Sequence, residues 1–233
     1  MMRTSIGLAG LLAIALAAGC SAAVNARPVV VELFESQGCS SCPPANANLN
    51  AIADRQDVIA LNFAVTYWDN LGWKDTFAQP AFTARQWAYA HAFRRDQVFT
   101  PEVVADGRRD GVGADPADFA RIVGHGAAGA GSPSLALTPA AVSIGAGPRP
   151  AAPADVWLAR YDPRVLKVPI GAGENSGKTL PHKNIVRELD RLGPWSGAAE
   201  MLRLPPARMS GLVTVILVQA PGGGPILAAA RGS

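Results

Sequence analysis

Apolar residues fall first into one uninterrupted block, Ile6 to Ala18, and then into short runs separated by polar, glycine-rich and proline-rich stretches. The block follows Met1-Met2-Arg3-Thr4, which carries a positive charge, and is too short to span a bilayer comfortably, as in an export signal. From Pro28, the run Val29-Val30-Val31-Glu32-Leu33-Phe34 is β-branched and apolar, too short for a helix and suited to a strand buried on both faces. Pro43 and Pro44 can begin a helix over Ala45 to Arg55, with Ala47, Leu49, Ile52 and Ala53 at near-helical spacing, and Val58 to Val65 reads as a second buried strand. Strand, helix and strand in this order predict a right-handed crossover with both strands ending at one edge of the sheet. Tyr67 and Trp68 then arrive beside whatever follows Phe34.

Asp69 to Gln79 is an aromatic-dense loop, and Ala81 to Arg94 predicts a helix with an apolar face through Phe82, Trp87, Ala90 and Phe93. Thr100-Pro101 precedes Glu102-Val103-Val104-Ala105. Asp106-Gly107 is a hairpin turn signal before Gly111-Val112-Gly113, and Asp115-Pro116 starts a helix ending at Val123. Beyond a glycine- and alanine-rich stretch, Gly124 to Ser134, come Leu135-Ala136-Leu137, Val142-Ser143-Ile144 and Val156-Trp157-Leu158, spaced by proline and glycine, as in a β-rich second unit. Asn184 to Leu192 reads equally as helix or strand. Leu212 to Gln219 is a strand, and Pro221 to Pro225 a turn into a last strand, Ile226 to Ala229. The expected organisation is a signal over residues 1–26, a first domain over 27–128, a linker at 129–134 and a second domain over 135–233.

The 233 residues are 49% hydrophobic, enough for one large core or two modest ones. The formal charge of +3 is spread without a polybasic run, so the basic pI speaks for solubility and not for nucleic acid. Two processing sites compete: Leu16-Ala17-Ala18-Gly19-Cys20 resembles a lipoprotein box ending in an acylated cysteine, and Val24-Asn25-Ala26 suits ordinary signal peptidase. Either leaves Cys39 and Cys42 as the free pair of an exported protein, periplasmic or extracellular, that touches a membrane only through lipid on Cys20.

Cys39-Ser40-Ser41-Cys42-Pro43 is the chemistry-bearing segment. Two thiols two residues apart at a helix start provide an attacking thiolate, Cys39, and a resolving thiol, Cys42. Unpaired N–H groups and the helix dipole favour the Cys39 anion, and Ser40 and Ser41 can donate to it. Glu32, on the strand leading to the pair, is a candidate base for the resolving thiol or else a surface charge. Trp68, Asp69, Trp73, Lys74 and Asp75 wall a groove beside Cys39 or belong to the core. An inert disulfide is the competing reading of the pair. A zinc site lacks ligands, since His91, His125 and His182 are scattered, and copper would have Met201 and Met209 for thioethers.

A strand ending in Cys-x-x-Cys at a helix start, a crossover, and a later Thr-Pro before a hairpin follow the order of a thioredoxin-like fold. The finer motifs are Glu32-Leu33-Phe34, Ser36-Gln37-Gly38-Cys39-Ser40-Ser41-Cys42-Pro43-Pro44-Ala45, Tyr67-Trp68-Asp69, Leu71-Gly72-Trp73-Lys74-Asp75, Thr100-Pro101 and Gly173-Glu174-Asn175. Together they resemble the secreted bacterial domain of unknown function 1223 family over most of the mature chain. The resemblance implies an α/β thioredoxin-like domain followed by a β-rich, sandwich-like C-terminal domain, α+β overall. It also implies a cis Pro101 opposite the cysteines, with Thr100 contacting an incoming peptide. The chain departs from the family pattern at Ala64 and Thr66, where a histidine and an acid are usual, and at Glu35, where a small hydroxyl residue is usual.

The expected activity is thiol–disulfide exchange with a protein or small-molecule thiol, without a dissociable cofactor. The alternatives are a binding or assembly module with a structural disulfide, and a copper or other metal carrier. Glu174 sits in an expected turn as a candidate contact between the two domains.

Overall fold

The computed structural model describes residues 27–124 and 132–232. The expected signal with Cys20, His125 and residues 129–131 of the expected linker lie outside the described residues. Strand β1 (Val29–Glu35) is buried at every position, as its β-branched run requires, and pairs in parallel with the equally buried β2 (Val58–Ala64), from Val29↔Val58 to Glu35↔Ala64. Helix α1 (Cys42–Ile52) joins them, with prolines in its first turn where their missing N–H costs nothing. Helix α2 (Pro80–Ala92) follows, then the hairpin β3 (Glu102–Ala105) and β4 (Arg109–Gly111). Helix α3 (Pro116–Val123) starts at Asp115, whose carboxylate accepts from the N–H groups of Ala117 and Asp118.

The second half adds β5 (Leu135–Leu137), β6 (Ala141–Ile144), β7 (Ala154–Asp162), β8 (Leu166–Pro169), β9 (Thr179–His182), β10 (Ile185–Trp195), β11 (Glu200–Arg203), β12 (Val213–Gln219) and β13 (Ile226–Arg231). β10 docks on the free edge of β2, and the result is one eight-stranded sheet in the order β13-β12-β7-β10-β2-β1-β3-β4. Docking gives the edge N–H and C=O groups of β2 partners they would otherwise take from water or another chain. Asn62 N–H donates to Asn184 O at 3.0 Å, and Asn184 Nδ2 donates to Ala60 O at 3.1 Å.

This corrects the expected fold class. Over the described residues the molecule is mainly β, a mixed eight-stranded sheet with three helices of 11, 13 and 8 residues, and does not fit a helix-containing α/β thioredoxin-like fold followed by a β-rich one. The undecided segment from Asn184 is the long strand β10. Its ladder to β7 carries register shifts at Val186/Glu188 and Arg191/Gly193, which break the period-two pattern. The pairs β8–β9 and β11–β6 were not expected from the sequence.

Strand alternation divides the core. Val30 and Phe34 of β1 pack with Phe63, Phe82 and Tyr89 on the α2 side. Val31 and Leu33 pack with Ala45, Leu49, Phe119 and Ile122 on the α1 and α3 side. The small sheet β11-β6-β5 covers the far part of the large sheet, with Val142 and Ile144 against Val156, Leu158, Ile216 and Trp195.

Glu32 points into the α2 side, where Arg85 grips it with Nε and Nη2 and Tyr89 Oη donates to it. That demand, with the bonds of Gln86 Nε2 to Phe99 O and Glu102, explains why α2 buries Arg85 and Gln86 while Trp87, expected on its buried face, is only half-buried. Removing one member of a buried ion pair leaves the other charge uncompensated. Glu32→Ala is therefore expected to lower the unfolding free energy by about 3–5 kcal/mol, read by urea denaturation; a loss below about 1 kcal/mol, the worth of an exposed pair, would contradict the account.

Candidate functional site

Cys39 and Cys42 form a disulfide with their Cα atoms 5.4 Å apart, in the turn between β1 and α1. α1 begins at Cys42, so Cys39 precedes the helix and Cys42 occupies its first turn. The turn is closed by Cys39 N–H on Ser36 O at 3.1 Å and Cys42 N–H on Cys39 O at 3.2 Å. Both cysteines are buried, with 0% and 1% of their surface exposed, while Ser40 and Ser41 are exposed.

Ser41 Oγ lies 3.3 Å from Cys39 Sγ, and because a disulfide sulfur carries no proton the hydroxyl is the donor. The same hydroxyl lies 3.5 Å from Thr100 O. The Thr100–Pro101 peptide is cis, Pro101 is buried, and Trp68 Nε1 donates to Thr100 Oγ1 at 2.7 Å. The structure thus gathers Cys39, Cys42, Ser40, Ser41, Thr100, Pro101 and Trp68 at one edge of the sheet. Trp73 stands behind the turn, with Nε1 donating to Gln37 Oε1 at 2.9 Å. Asp69 and Asp75 brace the loop: Asp69 Oδ1 accepts from Asp75 N–H, and Asp75 accepts from the N–H groups of Gln37 and Phe77. Lys74 is exposed. Glu32 is not brought to the pair, because its carboxylate faces α2, across the sheet from α1.

The β8–β9 hairpin carries the Gly173-Glu174-Asn175 turn, whose Glu174 is the candidate contact between the two halves. Its loop lays Glu174 and Asn175 over the cysteine turn: Glu174 Oε2 accepts from Ser40 N–H at 3.0 Å, and Asn175 Nδ2 donates to Gln37 O and Cys39 O at 2.9 and 2.8 Å. Asn175 is fully buried, and Lys178 Nζ donates to its Oδ1. Hydrogen bonds from Ser40 hold the Glu174 carboxyl below its usual range. Gly173, at φ +74, brings this loop so close that a Cβ there would lie 3.2 Å from Trp73 Cβ.

Beneath α1 lies a second, buried polar group. Asn46, one helical turn beyond Cys42 and on the same helix face, accepts from Asn62 Nδ2 and donates to Pro181 O. Glu35 Oε1 accepts from Asn62 Nδ2 at 2.6 Å and meets His182 Nδ1 at 2.8 Å. Burial alone would lower the His182 pKa, but the Glu35 carboxylate more than offsets it and raises it above the usual histidine value. Burial pushes Asp75 up to about 6 against the N–H bonds of Gln37 and Phe77, and burial likewise pushes Glu102 up to about 7. Period-two alternation from Val31 and Leu33 could have assigned Glu35 to the α1 face. Nothing local to His182 or Asn175 could have paired them with positions so distant in sequence. Among the described residues no group of three or more His, Cys, Asp or Glu side chains converges as metal ligands would.

The profile of a family described as protein of unknown function, DUF1223, matches residues 30–219. No curated protein matches. The crystal structure of a protein from Agrobacterium tumefaciens is similar at 30% identity and a TM-score of 0.68, covering 88% of this chain and 94% of that one. HBP35 of Porphyromonas gingivalis shares the fold at 14% identity and a TM-score of 0.59, over 89% of this chain and 75% of that one.

Groups whose pKa is raised by folding stabilise the protein at low pH and lose that contribution as pH rises through the folded value. For Asp75 the window runs from the ordinary aspartate value to about 6, for Glu102 to about 7, and for His182 it begins at the ordinary histidine value. Thermal stability is therefore expected to fall as pH rises from about 4 to 8, and Asp75→Asn to flatten the part between about 4 and 6 by on the order of 2 kcal/mol. Melting curves across this range check it, and an unchanged slope in the variant would contradict it.

Proposed function

The chain belongs to the DUF1223 family of unknown function, and from that premise we propose that it is an exported thiol–disulfide exchange protein. The observation that carries this reading is the Cys39–Cys42 disulfide at the head of α1, with the Ser41 hydroxyl on Cys39 Sγ and the Thr100–Pro101 turn alongside. In the oxidised protein a partner thiolate attacks Cys39 Sγ, the Cys39–Cys42 bond breaks, and Cys42 leaves as a thiolate that takes up a proton. A second partner thiolate attacks the partner sulfur bound to Cys39 and releases Cys39. The partner has then lost two electrons and two protons and gained a disulfide; run backwards, the steps reduce a partner disulfide. Ser41 donates to the Cys39 thiolate in either direction, which lowers its pKa and improves it as a leaving group. The Glu174–Asn175 loop and Trp68 frame the approach of the partner, and Thr100 O offers it a backbone acceptor.

A second reading, an inert staple, is favoured by one observation: both cysteines are buried in the oxidised state. The two readings separate in an exchange assay with a peptide disulfide, followed by alkylation and mass detection. The proposal expects Cys39→Ser to abolish exchange, Cys42→Ser to retain the peptide on Cys39, and Ser41→Ala to slow exchange by about tenfold, as loss of a hydrogen bond to a charged group implies. A staple would show no exchange in the unmodified protein, and Cys39→Ser would cost about 2 kcal/mol of stability, the worth of closing so short a loop.

A further inference from the structure

Across the sheet from α1, a pocket of about 320 Å³ opens between α2 and the strands β7, β10 and β12. Its volume falls within the roughly 300–1,000 Å³ of small-molecule sites. Besides Arg85 and Tyr89, α2 lines it with three alanines, Ala81, Ala84 and Ala88, where bulky side chains would close the space, and the half-buried Trp157 and Leu189 form apolar walls. One end is fixed by backbone: a Cβ on Gly223, at φ +78, would lie 2.5 Å from the Ala88 backbone, so turn and helix are flush.

At the floor is Arg85, with a side chain 4% exposed. Its Nε and Nη2 are spent on Glu32 and Tyr89. Tyr89 Oη is satisfied in turn, donating to Glu32 and accepting from Gln219 Nε2 at 3.0 Å. Among the described residues nothing accepts from Arg85 Nη1, that atom is not among the sealed polar atoms lacking a partner, and Arg85 lines the pocket. A guanidinium edge held rigidly by three bonds therefore offers two unused N–H donors at the end of an apolar cleft.

Charge selects the acceptor. Glu32 already neutralises Arg85, and Asp155 at the lining adds a carboxylate, itself paired with Arg191. An anion would meet no net positive charge, because Arg85 and Asp155 are each already paired, whereas an uncharged carbonyl needs only the free N–H groups. We propose that this pocket is a binding site for a small, uncharged, mainly apolar molecule whose carbonyl oxygen accepts from Arg85 Nη1 while its body packs between the α2 alanines, Trp157 and Leu189. The site lies across the sheet from the cysteine turn and does not depend on thiol exchange.

The test is a titration of the protein by NMR with three probes of similar bulk, acetophenone, ethylbenzene and benzoate, following the Trp157 indole N–H signal. Acetophenone is expected to shift it saturably and to bind at least about tenfold more tightly than ethylbenzene, which lacks the acceptor. Benzoate is expected to bind more weakly than acetophenone. Ala84→Leu, or Ala81→Leu if the first does not fold, fills the cleft and is expected to abolish the shift. No saturable shift with acetophenone, equal binding of ethylbenzene, tighter binding of benzoate, or unchanged binding in a folded filled variant would each overturn the proposal.

Discussion

The docking of β10 on β2 is the contact on which the rest depends. It is made of few atoms: Ile185 opposite Asn62 in the ladder, Asn62 N–H on Asn184 O, and the Asn184 amide on Ala60 O. Asn184 sits at φ +52, which asparagine tolerates better than most residues, and this lets the chain turn from β9 into the sheet. Two residues earlier His182 is pressed beneath α1 against Glu35. Earlier still, the β8–β9 loop is carried over the cysteine turn. One edge contact thus joins both halves of the chain in a single sheet and puts residues from the second half at the site of the first.

That site has two tiers with different physics. Above, Ser40, Ser41, Glu174 and Thr100 are near solvent, and the backbone of the cysteine turn is tied from outside by Asn175. Below, Glu35, His182, Asn46, Asn62 and Asp75 form a buried polar group, in which burial raises the Asp75 pKa and the Glu35 carboxylate raises that of His182. A buried network of this kind holds its geometry because any member left unpaired would carry a large desolvation cost. The lower tier therefore fixes the helix that carries Cys42, and the upper tier covers the turn that carries Cys39.

Much of the first half was legible in the sequence because its signals are local. The β-branched runs at Val29 and Val58, the prolines at the head of α1 and Asp106-Gly107 each specify an element within a few residues. The cysteine pair was legible for the same reason. Elements defined by distant partners were not. β8 and β9 are four residues each, with Pro169 and Pro181 inside them, and read as loop until their mutual pairing is seen. β10 carries two register shifts that erase its alternation. Glu32 drew attention as the acid near the thiols, yet alternation assigns that side to Glu35, while Glu32 answers to Arg85 on a helix more than fifty residues away in sequence. The fold class was misjudged through the same blindness, since nothing in Ile185 to Trp195 announces that it will extend the first sheet and not begin another.

The central claim is that the Cys39–Cys42 pair exchanges electrons with partners instead of merely pinning a turn. The most direct measurement is its reduction potential, by equilibrating the protein against glutathione buffers and quantifying alkylated thiols by mass. The account predicts a value within the range of exchange proteins, about −120 to −270 mV. A value below about −300 mV, where structural disulfides lie, would contradict it and make the pair a staple.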